Sequence, residues 1–169
     1  MQFEKTLVIG LGNPILGDDG VGWAVAREVE ARLKESGHDV EVDCLSLGGL
    51  SLMERMIGYK RIILIDSLNT GQRSQGSVVT FTLEDLVDLT HGHASAAHDT
   101  SLKTALDMGR KMNVILPSDK DVHVVAIEAQ HVYDFKEDLS PAIAAAMLVA
   151  TQRVFDLLKE INGIQYITD

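Results

Sequence analysis

The chain has 169 residues, 46% of them apolar and 24% charged, with a formal net charge of -10. That length suits one compact domain over residues 1–169 with a full hydrophobic core, and the composition is that of an ordinary globular protein. The negative charge argues against attachment to nucleic acid or to anionic membranes, while leaving room for a site that takes a cation.

A single cysteine, Cys44, rules out a disulfide within the chain and disfavours a thiolate metal cluster; it reads as a small buried apolar residue. The opening MQFEKTLVIG has no long apolar leader and no cleavage site. No apolar stretch reaches the roughly 20 residues needed to span a bilayer. The expectation is a cytoplasmic protein with no membrane and no nucleic-acid partner.

In chain order, residues 5–9 form a short buried strand. Val21, Val25, Val29 and Leu33 recur every fourth residue, which predicts a helix over 21–34, ended by Gly37. Residues 40–45 alternate as a second strand, and LGGLSLMERMIGY gives a turn and a short helix. RIILID is an apolar run closing on Asp66, the pattern of a central parallel strand covered on both faces. The polar loop SLNTGQRSQGS follows, then a fourth strand over 77–82 whose direction is left open by that long connection, then a helical turn in LEDLVDL. THGHASAAHDT reads as a loop. A helix over 101–112 carries Leu102, Ala105, Leu106 and Met112 on or near one face, and residues 122–127 form a fifth strand. Ser140 and Pro141 mark the start of the last helix as N-cap and first helical position. Ile143, Met147, Ala150, Val154, Leu157 and Ile161 form its buried stripe, and Gly163 stops it. This alternation predicts an α/β fold: three layers, α/β/α, around a five-stranded, mostly parallel, mixed and twisted sheet.

Gly10 and Gly12 after the first strand suggest a dinucleotide loop, but the third glycine of that motif is replaced by Ile15, and no acid ends strand two at the right distance. Two acids follow instead, Asp18 and Asp19. Either can cap the helix that begins there, and the other is then available as a hard ligand. Asp66 closes a central strand, where α/β sheets place their ligands, and right-handed winding sets strands one and three side by side. The two loops therefore share one crevice, where converging carboxylates repel unless a proton or cation lies between them. His98 precedes a helix whose positive end disfavours imidazolium and keeps the ring neutral, as a ligand must be. His91 and His93 are bystanders or a secondary metal-gathering element. Two carboxylates and one imidazole suit a borderline divalent ion such as nickel or zinc. HExxH and GxSxG are both absent, so covalent catalysis by serine or cysteine has little support.

GLGNPILGDDGVG, IILIDS and SAAHDTSLKTAL, with the LGGL turn, together resemble the nickel-iron hydrogenase maturation endopeptidases over nearly the whole chain. The resemblance implies a phosphorylase/hydrolase-like layering. It also implies an endopeptidase that removes a C-terminal extension from a hydrogenase large-subunit precursor already holding nickel. Carried over residue by residue, the metal-binding and catalytic set is Asp19, Asp66 and His98, with Asp18, Gly48 and Gly49 as accessory positions. Nickel would come with the precursor, and zinc or cadmium would be able to occupy the same ligands. Two rivals remain. A nickel-binding chaperone without catalysis would use the same ligands. Peptidyl-tRNA hydrolases share GLGNP, but this chain lacks their T-R-H-N segment and the basic surface an RNA substrate favours.

Overall fold

The apolar runs become five strands of one sheet in the computed structural model of the protein, which describes residues 5–36, 40–86 and 97–163, the side chains of residues 36 and 97–100 excepted. The strands are β1 (Thr6–Leu11), β2 (Glu41–Leu45), β3 (Arg61–Leu68), β4 (Val78–Thr82) and β5 (Val122–Glu128). The helices among the described residues are α1 (Val21–Ser36), α2 (Gly49–Arg55), α3 (Ala97–Lys111) and α4 (Pro141–Asn162). The sheet order is β2-β1-β3-β5-β4. β1, β2, β3 and β5 pair in parallel, as the apolar runs and helical crossovers require. β4 lies on the edge, antiparallel to β5. The direction left open by the sequence is thus settled, and β4 pairs with the later strand rather than with β3.

Alternation along each strand divides the core in two. Val8, Ile63, Ile65, Val125 and Ile127 face α1 and α4, meeting Val21, Val25, Val29, Ile143, Ala150 and Val154. Leu7, Ile9, Ile62, Leu64, Val124 and Ala126 face α2 and α3, meeting Leu52, Met56, Leu102 and Leu106. The three expected layers follow. Met112 departs from expectation: α3 ends at Lys111, and Met112 is 71% exposed rather than packed. Cys44 is half-buried, packed against the first core layer, and burial pushes its thiol above the ordinary range. Gly37 lies outside the described residues; α1 runs to Ser36 before it.

By length and composition α4 is apolar enough to cross a membrane, contrary to the sequence expectation. Its apolar stripe is nevertheless spent on the sheet: Ile143, Ala146, Ala150, Val154 and Leu158 are buried against the first core layer. That is the pattern of a core helix.

His123, on β5, is a half-buried base whose partial burial lowers its proton affinity below the ordinary value of 6.5, against the opposing pull of Asp121, Glu160 and Asp85. The unfolded chain therefore binds the proton more readily than the folded one. Stability is unaffected above the unfolded value and falls as the pH drops below it. Thermal melts of His123→Gln are expected to show a flatter decline than wild type between neutral and mildly acidic pH.

Candidate active site

The crevice is built at the carboxyl ends of β1, β3 and β5, and close backbone packing shapes it first. A Cβ on Gly22 would lie 2.1 Å from the Leu11 carbonyl oxygen and 2.5 Å from that of Ile65, so α1 begins directly against the rim of two strands. Gly12 has φ +126°, and a Cβ there would lie 1.9 Å from the Asp19 carbonyl oxygen. The glycines read from the sequence as a tight turn bring backbone against the backbone of the acidic pair.

The two adjacent acids have separate surroundings. Neither side chain caps the 3-10 turn Gly17–Gly20 that leads into α1. Asp19 is half-buried; its Oδ2 accepts the Asn13 amide at 2.8 Å and its Oδ1 accepts the Ser67 hydroxyl at 3.0 Å. Asp18 is fully buried and faces the other way. Its Oδ1 accepts the Ser140 amide at 2.7 Å, and its Oδ2 accepts the Ser140 hydroxyl at 2.8 Å and the Gln75 amide group at 3.3 Å. An acid at a helix N-terminus is what the sequence suggested, but the helix is α4, not α1. Ser140 and Pro141 hold the expected N-cap and first positions of α4, yet the Ser140 hydroxyl makes no cap bond. It is donated to Asp18.

Asp66 stands at the β3 rim, and its Oδ1 accepts the Ser67 amide at 2.8 Å. Ser67 therefore touches both carboxylates, one through its amide and the other through its hydroxyl. This confirms the expected neighbourhood of the β1 and β3 loops. Ile62 and Leu64 face the α2/α3 layer, so alternation turns Asp66 to that same side. α3 begins at Ala97, four residues earlier than predicted, which puts His98 in its first turn rather than before it. Ala97 favours helix and Asp99 suits a first turn, which explains the earlier start. A Cβ on Gly49 would lie 3.8 Å from the Ser101 hydroxyl oxygen, so the first turns of α3 stand by the loop after β2, at this rim. The side chain of His98, and His91 and His93 altogether, lie outside the described residues. Among the described residues no group of three histidine, cysteine or carboxylate side chains converges.

Gly49 has φ +53° and needs the left-handed region; Gly48 is extended at φ -147°, open to any residue. The glycine-only reading holds for Gly49 and is corrected for Gly48. Trp23 is half-buried, its indole nitrogen donating to the Leu45 carbonyl at 3.1 Å, so it packs at the β2 end rather than presenting a free face.

Sequence reasoning missed Glu128. It is 1% exposed at the end of β5. Its Oε1 accepts the amides of Thr70 and Gly71, each at 2.8 Å, and its Oε2 accepts the Thr70 hydroxyl at 2.8 Å. The signal was present: an acid closes the apolar run VHVVAIE, as Asp66 closes RIILID. Ser67 and Gln75, in a segment whose sequence leaves open a grip on substrate or a plain polar connection, were also missed as partners of the acidic pair.

A profile of the hydrogenase maturation proteases (HycI) matches residues 4–157. No protein among the curated sequences matches. Among solved structures, the solution structure of an endopeptidase from Escherichia coli is 23% identical with a TM-score of 0.75, covering 95% of each chain. The hydrogenase maturating endopeptidase HybD from E. coli is 22% identical with a TM-score of 0.71, over 92% of this chain and 93% of its own. The [NiFe] hydrogenase maturation protease HybD from Thermococcus kodakarensis is 24% identical with a TM-score of 0.67, over 90% and 98%. At these identities the structures establish a shared fold, a mixed five-stranded α/β sheet. The profile spans nearly the whole chain, including both aspartate loops and the β5 rim, and by it the chain belongs to the hydrogenase maturation protease family.

Proposed function

We propose that this endopeptidase recognises a hydrogenase large-subunit precursor through the nickel ion the precursor already carries, and then removes its C-terminal extension. Asp19, Asp66 and His98 are the groups assigned to meet that ion. The observation that supports this most is Ser67, which donates its hydroxyl to the Asp19 carboxylate and its amide to that of Asp66, so both acids lie within one residue's reach at the β3 rim. Two acids so placed favour a cation between them. His98, in the first turn of α3, is the residue assigned as the nitrogen donor that a borderline ion prefers. Zinc or cadmium would serve as stand-in ions for the same donors.

Held by Asp19, Asp66 and His98, the ion would supply Lewis-acid polarisation of the scissile carbonyl or of an attacking water. The chain's own residues orient it: Asn13 and Ser67 fix the Asp19 carboxylate, and the Ser67 amide fixes that of Asp66. The Gly48-Gly49 turn, with the loop that follows Ser67, forms the side along which an extended peptide would lie. We place the reaction in the cytoplasm, with no membrane or nucleic-acid partner, which suits an acidic chain with one cysteine.

The test is incubation of the purified protein with nickel-loaded and nickel-free precursor, followed by mass measurement of the large subunit. Trimming confined to the nickel-loaded form is the expected result. Equal trimming of both forms would overturn recognition through nickel, and binding without trimming would support the chaperone rival.

A further inference from the structure

The loop between β3 and β4 leaves and returns beside the same pair of acids. Just before it, in the last residues of β3, Ser67 donates to Asp19, and near its end Gln75 donates to Asp18. Asp18 also takes both the amide and the hydroxyl of Ser140, at the head of the 22-residue helix α4. A carboxylate offers about four lone-pair directions. Asp18 spends three of them on donors drawn from two distant segments, and it is fully buried. Asp19, half-buried, accepts from the Asn13 amide and the Ser67 hydroxyl.

We infer that Asp18 is a positioning residue: it locks the acidic turn to α4 and to the returning end of the 67–76 loop, and so fixes the direction of the Asp19 carboxylate. The backbone around it is already tied, since Gly17 and Asp18 donate their amides to the carbonyls of Lys136 and His131 at 2.7 and 3.1 Å. The side chain of Asp18 adds the ties to Ser140 and Gln75. This inference rests on the proposed role of Asp19 for its catalytic consequence, but its structural core can be tested without substrate.

The Asn13 amide donates to Asp19 Oδ2, so its hydrogen exchange reports directly on that carboxylate. Asp18→Asn places an amide group against the donors of Ser140 and Gln75, while Ser140→Ala removes one donor without altering any acid. Ser140→Thr keeps the hydroxyl. Leu83→Ala, a core truncation beside the opposite rim, matches any general loss of stability. Asp18→Asn and Ser140→Ala are expected to lower Asn13 protection by about tenfold beyond Leu83→Ala. They are expected to lower kcat by about tenfold to a hundredfold with KM nearly unchanged, as small misplacements do. Ser140→Thr should restore both. If Asp18→Asn matches Leu83→Ala in Asn13 protection and in kcat, the positioning role is overturned. It is equally overturned if Asp18→Asn abolishes binding of nickel ion alone as fully as Asp19→Asn while Ser140→Ala leaves that binding intact, because Asp18 is then a ligand. Failure of the wild type to trim nickel-loaded precursor would overturn the proposed function alone, since the exchange measurement stands apart from it.

Discussion

Asp19→Asn is expected to keep the fold and to lower precursor trimming by about a thousandfold or more, the scale on which removal of a charge-stabilising group acts. The substitution preserves volume. The Asn13 amide still finds an acceptor oxygen, and the Ser67 hydroxyl can turn to accept from the new amide group. The stability change should therefore stay within about 1 kcal/mol. What disappears is the negative charge that would draw a cation to the rim. Asp66→Asn removes the second charge, its amide partner Ser67 again keeping an acceptor. On the proposed reading both acids serve one ion, so the double variant is expected to be little worse than either single one. The measurement is the rate of loss of the C-terminal extension by mass, with melting temperature as control. Wild-type trimming by either variant would end the assignment of that residue.

The reach of the sequence was set by how far each residue lies from its partner. β3 announced itself by four consecutive branched or leucine side chains, and a strand covered on both faces has no other composition available to it. Once β1, α1, β2, α2 and β3 were in order, the handedness of crossovers placed β1 between β2 and β3, and so brought Asp19 near Asp66. β4 was different. The nine-residue polar stretch before it imposes no direction, and the outcome is decided by β5, which arrives later: Gly76 donates to the Glu128 carbonyl and Glu128 donates to that of Ser77. That pairing sets β4 as an antiparallel edge beside β5.

The division of labour between Asp18 and Asp19 was not legible for the same reason. Local physics makes either acid a cap for the helix that follows. The partner that decides is Ser140, 122 residues away. Ser140 shows the converse: its place at the head of α4 was legible from Pro141, but its hydroxyl is taken by a tertiary contact instead of the local cap. Motif resemblance chose Asp19 over Asp18 where local physics left both open; Asp18 itself is buried, with three donors on its carboxylate.

Glu128→Ala is expected to be the most destabilising single change at the rim. It strips a buried carboxylate from the amides of Thr70 and Gly71 and from the Thr70 hydroxyl. Donors left unpaired cost about 1–3 kcal/mol each when water cannot replace the lost acceptor. A loss of about 3 kcal/mol lowers the melting temperature of a chain this size by about 6–12 °C. Glu128→Gln keeps one acceptor oxygen, and should retain the two amide bonds while placing an amide group against the Thr70 hydroxyl, for about 1–2 kcal/mol. The functional effect follows from the loop. Thr70 and Gly71 stand three and four positions after Ser67, whose hydroxyl holds Asp19. Releasing them loosens that hold, so trimming measured well below the melting point should still fall, more in Glu128→Ala than in Glu128→Gln. Thermal melts and trimming rates on the two variants decide it: unchanged melting in Glu128→Ala would show that the loop amides find other acceptors, and a rate unaffected by a large melting shift would show that the loop is anchored for stability alone.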